Sequence, residues 1–106
     1  MRLSWLRKED RVLCERPRRS GTWSRSRTLD LEECIANMEA APTLADLATL
    51  PGTCVDTLGD RRRISLRSVA IVVRSGHLPD EGPVGPEGEV AWEQVRRVMI
   101  ESVEHD

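Results

Sequence analysis

The sequence predicts a single domain with mostly helical structure in its first half and strands in its second. Apolar residues recur at helical spacing between residues 28 and 41, and from Thr53 onward they alternate with polar ones. The length, 106 residues, suits one domain able to bury a core without disulfides.

The elements follow in order. Leu3-Ser4-Trp5 reads as a short strand with both apolar side chains on one face. Arg7 to Glu15 predicts a short helix presenting Val12 and Leu13. The basic stretch RPRRSGTWSRSRT, punctuated by Pro17 and Gly21, predicts a loop. From 28 to 41 a helix places Leu31, Cys34, Ile35 and Met38 on one face. Asp30 and Glu33 have the spacing of an N-terminal cap pair, and acids there suit the helix dipole. Pro42 stops this helix; Thr43 caps a short turn, Leu44 to Leu50, which Pro51-Gly52 closes. Cys54–Leu58, Arg61–Arg67 and Ser68–Arg74 predict strands, the first two joined by a tight turn at Gly59-Asp60. Ile64 and Leu66 then point inward, Arg63, Ser65 and Arg67 outward, and Arg62 opposite to its neighbours. Val69, Ile71 and Val73 form a β-branched run typical of an inner strand. Ser75 to Val90, dense in Gly, Pro and acids, predicts a long exposed loop. Trp92 to Val103 fits either a helix or a last strand.

A net charge of −2 conceals segregation. Residues 1–28 and 61–76 are strongly basic, whereas 29–60 and 77–106 are strongly acidic. A basic face follows if the fold brings the first and third blocks together. No run approaches the roughly 18 apolar residues of a membrane span. The start, MRLSWLRKED, lacks the apolar core of a signal peptide. The expectation is a cytoplasmic protein with no membrane partner. Cys14, Cys34 and Cys54 cannot all pair and show no zinc spacing, which predicts reduced, packed thiols and no metal.

Several short motifs stand in order along the chain. They are Leu3 and Trp5 in an opening strand, Leu13-Cys14 ending a helix, and AAPTLADLATLPG from Ala40 to Gly52. The Gly59-Asp60-Arg61 turn, a strand alternating Ser and Leu, the Pro-rich loop leading to Ala91-Trp92-Glu93-Gln94-Val95, and the closing stretch Val98 to Asp106 complete them. In this order they resemble the RelE/ParE superfamily of type II toxins, most closely its HigB-like plasmid maintenance killer branch. The resemblance covers nearly the whole chain, and a single domain over residues 1–106 is expected. It implies an α+β domain, with two helices packed on one face of a small, twisted, mainly antiparallel sheet, and it favours a final strand over a helix. The chain departs from the family pattern in having neither Tyr nor Phe and in ending Glu104-His105-Asp106.

The resemblance further implies a ribosome-dependent endoribonuclease that cuts mRNA and is held inactive by a cognate antitoxin, commonly a helix-turn-helix protein. Such chemistry needs cations around a scissile phosphate and a group that moves protons near neutral pH. Arginine suits the first task, because its planar fork binds phosphate oxygens and keeps its charge. Histidine suits the second. Arg61, Arg67 and His105 are the candidate catalytic residues, with Asp106 placed to orient His105. Arg63, Arg74 and Trp23 are the candidate RNA contacts, Trp23 by stacking. No cofactor is called for. The bland alternatives are a solvated arginine row, a frayed terminal histidine, and tryptophans that pack; Trp5 and Trp92 are expected in the core, and His77 is expected to be idle. The missing aromatics also admit a non-catalytic binding protein of the same fold, inhibiting gyrase or binding an antitoxin as a degenerate toxin. A helix-turn-helix DNA binder, suggested by SLRSVAIVVRSG, is disfavoured by its β-branched run.

Overall fold

The computed structural model describes residues 1–16, 23–77 and 82–105, apart from the side chain of His105. The fold is α+β, with five strands in one mixed sheet and helices packed on one side of it. In chain order the elements are β1 (Arg2–Trp5), α1 (Lys8–Glu15), α2 (Arg25–Ala40), α3 (Leu44–Leu47), β2 (Thr53–Leu58), β3 (Arg61–Leu66), β4 (Val69–Ser75) and β5 (Arg97–His105). The sheet order is β1-β5-β4-β3-β2; β1 runs parallel to β5 and every other pair is antiparallel. Of the two readings of 92–103, the strand is correct from Arg97 onward, preceded by a single 3₁₀ turn at Trp92–Gln94.

Register sorts the side chains. Ile64 pairs with Ile71, and Ile71 with Val103, so these side chains share one face. Val69, Val73, Val98 and Ile100 lie on it too and are fully or nearly fully buried. They pack against Leu31, Cys34, Ile35 and Met38 of α2, Cys14 of α1 and the α3 residues Leu44 and Leu47. Trp5 and Trp92 pack at the margin of this core. The helix α1 turns differently from expectation. Leu13 and Cys14 face the core, while Val12 is left 49% exposed.

Helix α2 begins earlier than residue 28. Ser24 is its N-cap, its hydroxyl accepting from the Arg27 amide at 3.2 Å. Arginine is a good helix former, so a capped basic segment continues the helix rather than a loop. Asp30 and Glu33 therefore lie within α2 and cap nothing; their role is described below. Thr43 does cap α3, accepting from the Asp46 amide and donating to its carboxylate. The loop prediction for residues 17–22 lies outside the described residues.

Both strand hairpins turn in two residues. Gly59-Asp60 joins β2 to β3, with Gly59 at φ +61°, where glycine suffers no Cβ clash. Arg67-Ser68 joins β3 to β4, and Arg67 itself takes φ +50°. The predicted strand Arg61–Arg67 thus ends one residue early. An L-residue in this region carries a cost of about 1–2 kcal/mol, which its side-chain contacts help to offset.

The three thiols differ in accessibility. Burial pushes the Cys14 thiol up to about 11 and that of Cys34 up to about 12, whereas Cys54 is exposed on β2. A thiol reagent at neutral pH is expected to modify Cys54 promptly and the other two only after denaturant is added. Fast labelling of all three in the native protein would contradict the packing of α1 and α2.

Candidate nucleic-acid interface

The helices cover one face of the sheet, and the register assigns a distinct set of residues to the other. Arg63 pairs with Val72 and Asp56, and Val72 with Ser102; Arg74 pairs with Met99, and Arg2 with Arg97. Alternation adds Arg61 and Ser65 from β3 and Glu104 from β5. Among the described residues this open face carries five arginines, at positions 2, 61, 63, 74 and 97, over the buried side chains of Ala70 and Val72. β4 lies at the centre of the sheet, with the arginine-rich β3 beside it, and its Val69–Val73 run is apolar enough for a strand buried on both sides.

Carboxylates meet these arginines. Between Val72 and Val73 the β4–β5 register shifts, with Ser102 opposite Val72 and Ile100 opposite Val73. Glu101 is the extra residue of this β-bulge, an arrangement that re-aims a side chain. Its Oε2 accepts from Arg61 Nε at 2.5 Å, and its Oε1 lies 2.9 Å from Arg74 Nε. Asp60 Oδ1 accepts from Arg61 Nη1 at 2.6 Å. The Arg61 guanidinium is held even more firmly protonated than usual, chiefly by its bond to Glu101. Farther along β3, Arg63 Nε donates to Glu104 Oε2 at 3.3 Å.

Arg67 leaves the row. From its turn it reaches α2, donating from Nε to Asp30 Oδ1 at 2.9 Å and from Nη2 to Glu33. Asp30 Oδ2 also accepts from the Ser68 hydroxyl at 2.7 Å and from the Ser68 amide. The bond from the Ser68 hydroxyl, foremost, holds the Asp30 carboxyl below the usual carboxylate range, with Arg67 adding to it. The pair read from sequence as a helix cap is therefore a clamp between α2 and the β3–β4 turn.

The expected trio of Arg61, Arg67 and His105 is not gathered at one point. Six residues of extended chain separate Arg61 from Arg67, about 20 Å. The His105 backbone lies opposite Val69, at the Arg67 end of the sheet. Its side chain and Asp106 lie outside the described residues. Arg63 and the 67–68 turn do come together, lining a depression of about 270 Å³ with Ser65, Ala70 and Glu104. Among the described residues the two basic blocks do not merge. β1 and β3 are separated in the sheet by β5 and β4, while Arg7 and Arg11 pair with Asp10 and Glu15 along α1.

Trp23 is half-buried and packs against the core, with Arg27 over its ring at 6.0 Å. Arg62 points to the helix side, as alternation requires, and stacks on Trp92 at 4.7 Å. His77 has a structural task. Its Nε2 accepts from the Arg96 amide at 3.0 Å, which needs a neutral ring, and burial lowers its pKa in the same direction, assisted by Arg97 and Arg96. Glu101 was the residue sequence reasoning missed. A lone Glu in an alternating strand carries no local signal that a bulge will set it between two arginines.

Among the described residues no helix is long and apolar enough to cross a membrane. Comparison with protein-family models, with curated proteins and with solved structures returns no match.

Proposed function

We propose that the chain is the toxin of a type II toxin–antitoxin pair, HigB-like, acting in the cytoplasm on mRNA bound to the translating ribosome. The observation that carries this reading is the uncovered sheet face with its row of Arg61, Arg63 and Arg74, opposite the face that the helices bury. Guanidinium forks at strand spacing suit the phosphates of an extended single strand, and contacts of this kind to the backbone carry no base preference. The motif order of the sequence supports the toxin assignment, and a helix-turn-helix antitoxin is the matching partner. In the active form of the reading the bound mRNA is cut, with Arg61 and Arg74 holding the phosphate and no cofactor taking part.

A second reading is favoured by the engagement of the Arg67 side chain with Asp30 of α2 and by the roughly 20 Å between Arg67 and Arg61 along β3. A chain whose candidate catalytic groups stand apart blocks a target by binding alone, whether ribosome or gyrase.

Induced expression separates these readings. The expected result is growth arrest, relieved by co-expression of a neighbouring helix-turn-helix gene, with new mRNA ends mapped on translating ribosomes. The Arg63→Ala/Arg74→Ala double variant, shown to be folded by circular dichroism, is expected to lose arrest by tenfold or more in colony count. Arrest with intact mRNA selects the binding reading. Normal growth at full expression would remove the toxin assignment.

A further inference from the structure

We propose that Glu101 occupies, in the free protein, a phosphodiester site formed by Arg61 and Arg74, and that single-stranded RNA takes its place. The inference rests on the open face being the RNA-facing surface and adds how paired arginines there become available.

Three observations carry it. The first is the geometry of the carboxylate, whose two oxygens lie against two guanidinium groups: Oε2 accepts a hydrogen bond from Arg61, while Oε1 sits 2.9 Å from Arg74 Nε as an ion pair without a hydrogen bond. A phosphodiester offers two non-bridging oxygens that can be shared between the same two forks. The second is access. The Glu101 side chain is only 14% exposed, but both arginines remain about 40% exposed, so a second anion can approach them from solvent. The third is the bulge. Glu101 is the residue without a partner in the β4–β5 register, and its side chain reaches the arginines because an extra residue is inserted there.

Charge decides the resting state. Arg61 and Arg74 face Glu101 and, on the Arg61 side, Asp60, which makes this end of the row neutral overall. Removing one carboxylate charge leaves one cation uncompensated, the equivalent of one phosphate contact. The apparent RNA affinity of the free protein is thus set by how readily Glu101 gives up its place.

The test measures binding of the full chain to a fluorescent single-stranded RNA oligonucleotide by anisotropy, over a salt series. Glu101→Gln keeps the side-chain volume and removes the charge. It is expected to tighten binding roughly five- to tenfold at low salt and to steepen the salt dependence by about 0.7 in logarithmic slope, the signature of one added phosphate on a single strand. Adding Arg61→Ala or Arg74→Ala to Glu101→Gln is expected to abolish the gain. Glu104→Gln removes the same charge beside Arg63 and is the control. A gain of equal size there would overturn the proposal, because it would report net charge alone. Should Glu101→Gln fail to fold, Asp60→Asn serves, since it frees Arg61 from an exposed turn; the expected gain is about twofold and is lost with Arg61→Ala. Unchanged or weaker binding in the folded variants would overturn the proposal. These readouts need no toxicity. If Glu101→Gln tightens RNA binding while induced cells grow normally, the site stands and the toxin reading falls.

Discussion

Replacing Ile71 with alanine is expected to lower the free energy of unfolding by about 3–4 kcal/mol. Ile71 is the middle of the central strand, inaccessible to solvent, with Ile64 beside it on β3 and Val103 on β5. The same face packs against α2, so truncation removes contacts with both layers at once. Large-to-small changes at such sites cost about 2–5 kcal/mol, the transfer term plus a cavity that β-sheet neighbours cannot collapse to fill. Against a typical domain stability of about 5–15 kcal/mol this is a large fraction. The melting temperature should fall by about 15–20 °C for a chain of this size. Urea unfolding of the two proteins, with the midpoint shifted and the slope unchanged, gives the measurement. Val84→Ala, at a side chain 63% exposed, should change stability by less than about 0.5 kcal/mol. A loss below about 1 kcal/mol for Ile71→Ala would mean that β4 is not the buried centre of the sheet.

The second large effect belongs to Asp30. Its carboxylate accepts from the Ser68 hydroxyl, the Ser68 amide and Arg67 Nε, and its side chain is 13% exposed. Hydrogen bonds to a charged acceptor contribute about 1.5–3 kcal/mol, and Asp30→Ala is expected to cost about 2–3 kcal/mol. Little of that comes from the Arg67 ion pair. The arginine is 56% exposed, and a solvated pair contributes about 0.2–1 kcal/mol. The pH dependence follows from the direction of the shift. The folded carboxyl has a pKa below its unfolded value, so the unfolded chain binds more protons as the solution is acidified. The contribution is complete above the ordinary carboxylate value and fades as pH falls through the lowered folded value. Asp30→Asn removes that titration. Its stability, measured by urea unfolding from pH 7 to pH 3, should fall less steeply at the acid end than that of the parent. Parallel curves would show that Asp30 does not couple α2 to the turn.

Much of the architecture could be read locally. Leu31, Cys34, Ile35 and Met38 declare a helical face, and Ile64 and Leu66 declare a strand face, because each pattern reflects a period of the backbone itself. Thr43 and Gly59-Asp60 were legible for a similar reason, since a cap and a two-residue turn are chemistry of neighbours. The start of α2 was misplaced because Ser and Arg suggest a loop when nothing declares an apolar face. Ser24 settles it by capping, and residues 25–27 follow as helix. Asp30 and Glu33 show the limit of such spacing rules. Two acids three apart look like a cap pair, yet within a helix they also share a side, and here that side meets Arg67.

The amino-acid order by itself determined the succession of elements as far as β4, the buried sides of α2 and β3, and the presence of an outward row of arginines on β3. Only the folded arrangement decided whether those arginines were free, because their partners come from 34 to 41 residues away: Glu101 for Arg61, Glu104 for Arg63, Asp30 and Glu33 for Arg67. Periodicity is a property of successive peptide units and survives in any window of the chain. Which carboxylate faces which guanidinium depends on strand order, on register and on one inserted residue at Glu101, and these are set by packing across the whole sheet.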